Sequence, residues 1–204
     1  MNDCKLIPLR DADRDSAIHT ISAAFSSDDP LAVSQHIDYN RFRKLIDSLY
    51  DGFLAAQLSF AAQDIDSGKV AALILVDNEL HSDGNEGSDA IADIISCARQ
   101  HYIEQLDQPI GKTIHIHFVA SDSKYRRQRL VSKLTDTCLE SARQQGFDRA
   151  VVEASGNRSR NLFREHHGFV ERVSVAYHDF EWHGKRPFTE IAEHSGLTLM
   201  DKVL

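Results

Sequence analysis

Only three cysteines occur in the 204 residues, Cys4, Cys97 and Cys138. They are odd in number, far apart and never in a CxxC pair, so neither a disulfide framework nor a zinc knuckle is signalled. The expectation is three reduced thiols in a cytoplasmic protein. No apolar run is long enough to span a bilayer. The first fifteen residues, MNDCKLIPLRDADRD, contain no apolar core of the kind that directs secretion. Positive charge is also in short supply: 23 Lys and Arg face 31 Asp and Glu, a formal charge of −8. That argues against a general nucleic-acid binder, which is normally basic. Neither the phosphate loop GxxxxGK[ST] nor the dinucleotide fingerprint GxGxxG is present, which counts against an unrelated nucleotide-binding α/β protein. With no internal repeat and no low-complexity linker, the length fits one domain able to bury a core unaided.

The pattern of what is present alternates between strands and helices. Residues 5–9 read as a short strand and 13–25 as a helix, with Ala17, Ile18, Ile21, Ala24 and Phe25 at helical spacing. A break at Ser27-Asp28-Asp29-Pro30 follows, and residues 31–57 are helical again, with a stripe of Phe42, Leu45, Ile46, Leu49 and Phe53. Residues 58–63 and 70–76 predict strands, 81–88 a polar loop and 90–106 a helix. Residues 113–119, TIHIHFV, alternate, with Ile114, Ile116 and Phe118 on one face and His115, His117 and Val119 on the other. A helix over 126–145 closes at Gly146, a strand covers 149–153, and a helix over 157–167 stops at Gly168. Strands over 169–180 and 197–203 complete a mixed α/β domain.

Charge is concentrated where strand, turn and helix meet. Between residues 121 and 164 there are ten Lys or Arg and five Asp or Glu, a basic island in an acidic chain. A strand ending in a tight turn that feeds a helix leaves several backbone N–H groups unpaired, and with the helix dipole these suit a pyrophosphate. Lys124, Arg126, Arg127 and Arg129 surround that turn, and guanidinium groups add charge-assisted bonds to phosphate. Read without that preceding strand, the same run is a solvated basic helix start.

The run from Ser121 to Leu134, SDSKYRRQRLVSKL, resembles the acetyl-CoA loop of the GCN5-related N-acetyltransferases, V-x-P-x-Y-R-G-x-G-[IL]-[GA]-x-x-L. Tyr125, Arg126, Leu130 and Leu134 are in register, and Asn157, Gly168 and Phe169 fit the family's N-x-x-[AS]…G-F helix. Arg127, Arg129 and Val131 stand where the family has Gly or Ala, Arg160 takes the helical Ala or Ser position, and no tyrosine acid lies between Ser159 and Arg164. Within the superfamily the chain is similar to insect arylalkylamine (dopamine) N-acetyltransferases. Phe25-Ser26-Ser27-Asp28-Asp29-Pro30-Leu31 resembles their F-x-x-D-E-P-L, and the Gly196–Val203 end resembles their last strand.

This resemblance implies one domain over residues 1–204: a central, mostly antiparallel twisted sheet with a splayed parallel strand pair, flanked by helices. It implies acetyl transfer from acetyl-CoA, as co-substrate, to a small-molecule primary amine by direct attack with both substrates bound. Coenzyme contacts fall on Val119, Ala120 and Ser121 at the strand end, and on Arg126, Arg127, Gln128 and Arg129 in the loop. Leu130, Val131 and Ser132 at the helix start, with Asn157 and Arg160, complete the expected set. Asp29 occupies the place of the DEPL glutamate and is the first candidate for the base, against the plainer role of turn or helix cap. His115 and His117 are further candidates, because an imidazole's ordinary pKa lies near neutrality, as is Glu153, which otherwise pairs with an arginine. No metal is expected: His166 and His167 are adjacent and point different ways on a helix. Trp182 and Phe188 either line the acceptor groove or pack a local hairpin. No nucleic acid or membrane partner is implied, and a homodimer is allowed. The rival reading is a catalytically silent domain of the same fold, used for ligand sensing or partner binding.

Overall fold

The computed structural model describes residues 3–78, 89–106 and 111–204. The loop expected over 81–88 lies outside the described residues. Seven strands form one sheet in the order β1-β2-β3-β4-β5-β7-β6. They are β1 (Cys4–Pro8), β2 (Phe60–Asp64), β3 (Val70–Asp77), β4 (Thr113–Ser121), β5 (Arg149–Ala154), β6 (Val170–Ala176) and β7 (Gly196–Val203). All neighbours are antiparallel except β4 and β5. β3 is central and covered on both faces, which is why VAALILV is an unbroken apolar run rather than an alternating one.

The sheet carries helices on both sides. On one face lie α1 (Arg14–Asp28), the short α2 (Pro30–Ser34), α3 (Tyr39–Ala56) and α4 (Ala90–Glu104). Ile18, Ile21, Phe42, Ile46 and Phe53 pack there on Leu73 and Leu75, and Ile94, Ala98 and Tyr102 on Val151, Leu197 and Leu199. On the other face α5 (Leu130–Gln144) lays Leu130, Leu134, Cys138 and Ala142 over Ile74, Ile114 and Ile116. The step of four read in the sequence is this buried stripe. Gly146 ends the helix in the left-handed region, φ 78°, as expected of a glycine there.

Three local expectations are corrected. The helix read over 31–57 is two helices, because the chain turns at His36 (φ 51°) and restarts at Asp38, whose carboxylate caps α3 by accepting from Arg41 N–H at 2.8 Å. Its buried stripe is Phe42, Ile46, Tyr50 and Phe53; Leu45 and Leu49 stay exposed. The helix read over 126–145 begins four residues late: Ser123–Gln128 is a 3-10 turn, and α5 starts only after Arg129. The helix from residue 157 is α6 (Asn157–Asn161), continued as a wider turn over Leu162–His166.

The alternation of TIHIHFV also breaks. Leu75 faces Phe118 and Val76 faces Ile116, so His117 has no partner on β3 and forms a bulge. A bulge shifts the faces by one residue. Ile114 and Ile116 face α5, yet beyond the bulge it is Val119 that faces α5, while Phe118 and Ala120 join the α1 and α3 side. His115, His117 and Phe118 therefore all project to the face that carries α1, α3 and α4.

Candidate active site

The opening lies between the two parallel strands. β4 and β5 pair only from Thr113↔Arg149 to Ile116↔Val152, although β4 runs on to Ser121 and β5 to Ala154. From His117 onward no strand among the described residues pairs with the β5-side edge of β4, so Val119, Ala120 and Ser121 border a gap. α5 begins at the mouth of this gap. Its first intrahelical bond is Lys133 N–H to Arg129 O at 3.1 Å, so the N–H groups of Leu130, Val131 and Ser132 precede the helical ladder. This is the geometry that receives an anion.

The loop in front of α5 is pinned from below. Tyr125 packs on the core and donates its hydroxyl to the fully buried Asp64 at 2.7 Å. Val131 packs against the same core, so its bulk is turned toward the sheet. Arg129 has φ 55° and ψ 30°, a left-handed conformation that favours glycine. Arg126 is ion-paired with Asp28 at the end of α1. Arg160 is held by Glu171, with Nε at 2.7 Å from Oε1, and Arg164 reaches the same oxygen at 2.9 Å. Asn157 is tied to the segment before β7: its N–H donates to His194 Nδ1 at 3.2 Å and its side chain to Glu193 O at 2.9 Å. Gln128 closes the 3-10 turn, Arg127 lies within it, and the Ser132 hydroxyl is 3.3 Å from His167 Nε2.

On the opposite sheet face Asp29 ends α1 and caps α2, accepting from Ala32 N–H at 2.8 Å. Its other oxygen accepts from the hydroxyl of Ser155, the first residue after β5. Burial pushes the Asp29 carboxyl above the usual range, and the bonds from Ser155 and the α2 amides offset this only in part. Tyr177, itself buried, donates to Ser155 O at 2.6 Å and fixes the backbone that carries the hydroxyl. Asp29 is thus both the expected cap and a carboxylate facing the end of β5.

The remaining candidates form a second cluster on the same face. His115 Nε2 is 2.5 Å from Glu153 Oε2, and Arg99 Nε of α4 is 2.8 Å from Glu153 Oε1. The three side chains are 1%, 7% and 8% exposed, so this is a buried network. Burial raises the Glu153 carboxyl, but the neighbouring positive charge outweighs it and holds the group well below its ordinary range. Arg99 supplies the fixed cation; burial lowers His115, which stays neutral. Glu153 is therefore paired with an arginine. His117, in the bulge, lies with its ring tilted 51° to that of His115 at 3.8 Å between centroids, edges onto Phe53, and has Nε2 at 2.8 Å from Asp77 Oδ2.

Elsewhere, His167 is buried, with Nδ1 at 3.0 Å from Asp136. Trp182 bridges Lys185 in a local hairpin, and Phe188 is fully buried against Tyr177 and Phe180. Sequence reasoning did not find Ser155, Arg99, Tyr177 or Asp77. Ser155 had a signal: a hydroxyl directly after a short apolar strand that faces the loop motif. Arg99 had a weaker one, as a charged residue among Ile94, Ile95, Ala98 and Tyr102 on the buried side of a helix.

A mixed sheet opened between its two parallel strands, with a helix starting at the opening, defines a class of acyltransferase fold. Residues 42–169 match the Acetyltransferase (GNAT) family, and the chain belongs to that family. No curated protein matches the sequence significantly. Among solved structures, arylalkylamine N-acetyltransferase 2 from Aedes aegypti is similar with TM-score 0.81 and 21% identity, over 99% of each chain. The C-terminal condensation domain of Ebony, in complex with β-alanyl-dopamine, has TM-score 0.83 and 14% identity over 100% of both chains. The Drosophila melanogaster polyamine N-acetyltransferase, which forms N-acetylagmatine, has TM-score 0.77 and 14% identity over 99% of this chain and 100% of that one. At these identities the likeness is one of fold. Among the described residues no helix is long and apolar enough to cross a membrane.

Proposed function

We propose that the protein is an N-acetyltransferase that moves an acetyl group from acetyl-CoA to a small-molecule primary amine. One observation carries this reading. A strand edge that no described strand pairs and helix amides ahead of their ladder border the gap between β4 and β5, and on the other sheet face a carboxylate raised by burial is bonded to Ser155, just past the end of β5. The residues there fit the coenzyme: the amides of Leu130, Val131 and Ser132 suit its pyrophosphate, and the open edge of Val119, Ala120 and Ser121 suits its amide-bearing arm. When bound, acetyl-CoA supplies a thioester carbonyl as the electrophile. Holding that carbonyl in line with the amine is the larger part of the rate.

The chain's own groups then manage the proton. An amine arrives as ammonium and must lose a proton before it attacks. Ser155 takes that proton while passing its own to Asp29, whose raised pKa makes it a stronger acceptor than an ordinary carboxylate. The nitrogen bonds to the carbonyl carbon, the carbon–sulfur bond breaks, and the second proton of the nitrogen passes to the leaving sulfur, so CoA departs as the thiol. Glu153 and Arg99 act as positioning residues for His115. His117, beside Phe53 and Phe118, is a second station for a proton. Those rings favour an acceptor with an aromatic portion, such as an arylalkylamine.

The silent-domain reading draws on one observation as well: Arg126 and Arg160 are already paired, with Asp28 and Glu171. For either to reach a phosphate it has to leave or share that carboxylate. Incubation with acetyl-CoA and dopamine, agmatine or a polyamine separates the readings. Stoichiometric thiol release with an added acetyl mass on the amine supports the enzyme; coenzyme binding without transfer to any amine supports the silent domain.

A further inference from the structure

His115 and His117 stand two residues apart on β4, and Asp77 is the residue that faces His115 across the β3–β4 ladder. Residues i and i+2 of a strand share a face. The two imidazoles and the carboxylate therefore converge, and one donor atom from each lies within 4.8 Å of the other two.

Convergence alone says little, but the hydrogen bonds say more. His115 Nε2 is 2.5 Å from Glu153 and 3.4 Å from Arg99. The shorter contact sets the tautomer: Nε2 carries the proton and donates it to Glu153. Nδ1 is left as a bare lone pair, and among the described residues it has no hydrogen-bond partner, in a side chain only 1% exposed. His117 Nε2, though 2.8 Å from Asp77 Oδ2, is also buried without an aligned hydrogen bond. Two imidazoles and a carboxylate thus converge, with His115 Nδ1 lacking a hydrogen-bond partner among the described residues and His117 Nε2 touching only the Asp77 carboxylate in an unaligned contact. Native structures leave such groups unpaired only rarely, and a bound ion is one of the recognised reasons.

We infer that Asp77, His115 and His117 form a binding site for a divalent transition-metal ion of the zinc class. Two imidazoles and a carboxylate are a donor set zinc accepts, and they leave a fourth position for water. Ligands about 2.0–2.1 Å from a tetrahedral zinc stand about 3.3 Å apart, so the three donors need only a small shift. Behind His115, Glu153 makes the carboxylate–histidine contact that orients a metal-bound imidazole and raises its basicity. Arg99 holds Glu153 away from the ion. The His117 and Asp77 side chains are 15% and 23% exposed, which gives the ion a way in. Bound there, the ion adds positive charge to a chamber that would receive an ammonium group, so acetyl transfer falls; that consequence rests on the function proposed above, whereas the binding does not.

The test is a titration of the full-length protein with cobalt(II), followed by its visible d–d bands, with zinc as competitor. The inference expects one equivalent of cobalt, an intense four-coordinate spectrum without thiolate charge transfer, and displacement by zinc. His117→Gln and Asp77→Asn should each weaken binding at least tenfold. His166→Gln and Cys97→Ser, which alter an exposed histidine and a half-buried thiol elsewhere, should leave it unchanged. Asp77→Asn, at the end of β3, carries the test on its own should His117→Gln not fold. No cobalt spectrum, equal affinity in both ligand variants, or a zinc-soaked crystal with only water at His115 Nδ1 would each overturn the inference, whether or not the protein transfers acetyl groups.

Discussion

Ser155 donates its hydroxyl hydrogen to Asp29, a residue 126 positions earlier in the chain. The contact joins the end of β5 to the break between α1 and α2. Asp29 keeps its second oxygen for the amide of Ala32. A residue that composition marks as a turn former thus also accepts a hydrogen bond from a hydroxyl that a distant strand delivers.

Asp29→Asn separates stability from turnover. Asparagine is as good a helix cap as aspartate, so α2 keeps its start. The variant removes a carboxylate that burial disfavours, so thermal unfolding at neutral pH should come at the same or a higher temperature. Acetyl transfer should fall at least 100-fold, within the range usual for a general base. A variant with unchanged turnover removes Asp29 from the mechanism.

The pH dependence follows from the same shift. In the folded protein the Asp29 carboxyl releases its proton at higher pH than in the unfolded chain. Across that interval the folded state binds more protons, so this group's contribution to stability falls as pH rises through it. Activity runs the other way, because the base works only when ionised. The logarithm of kcat/KM should rise with pH with unit slope up to a point above the ordinary carboxylate range, and Asp29→Asn should abolish that limb.

Arg99→Met tests the buried network. It leaves Glu153 and His115 without their fixed cation, and breaking such a pair costs about 3–5 kcal/mol. Urea unfolding should show that loss at neutral pH. Wild-type Glu153 has a depressed pKa, so its contribution is full above the ordinary carboxylate range and is lost on acidification. The variant should therefore close the gap to wild type as pH falls. An Arg99→Met, Glu153→Gln double variant should recover part of the stability; recovery of none would mean that Arg99 acts elsewhere.

Arg129→Gly bears on the altered loop. A non-glycine residue in the left-handed region costs about 1 kcal/mol or more, and glycine removes that strain. The variant should unfold about 1 kcal/mol later in urea and bind acetyl-CoA more tightly, since the amides after residue 129 become easier to approach. Weaker binding would show that the Arg129 side chain itself holds phosphate.

Much of the scaffold was legible because it is local. The step of four in Leu130, Leu134, Cys138 and Ala142, the apolar run of β3, and glycines at 146 and 168 each follow from one element's own geometry. The loop motif was legible for the same reason, and Arg129 shows why the family pattern has glycine at that position: the backbone there is left-handed. The illegible parts depend on pairing between distant segments. The bulge at His117 exists only because β3 and β4 fall out of step, and it reverses the facing of Phe118 and Val119 relative to plain alternation. Arg99 reads as an ordinary helical arginine until α4 is laid over Glu153. Ser155 acquires meaning only through Asp29.

Calorimetric titration of acetyl-CoA into the protein, followed by acetyl transfer from that complex to an amine, addresses the central claim most directly. The account predicts saturable one-to-one binding, weaker for an acetyl-pantetheine fragment that lacks the diphosphate, and transfer that releases one thiol per amine acetylated. Absence of binding heat at millimolar coenzyme, or equal affinity for the fragment, would contradict it.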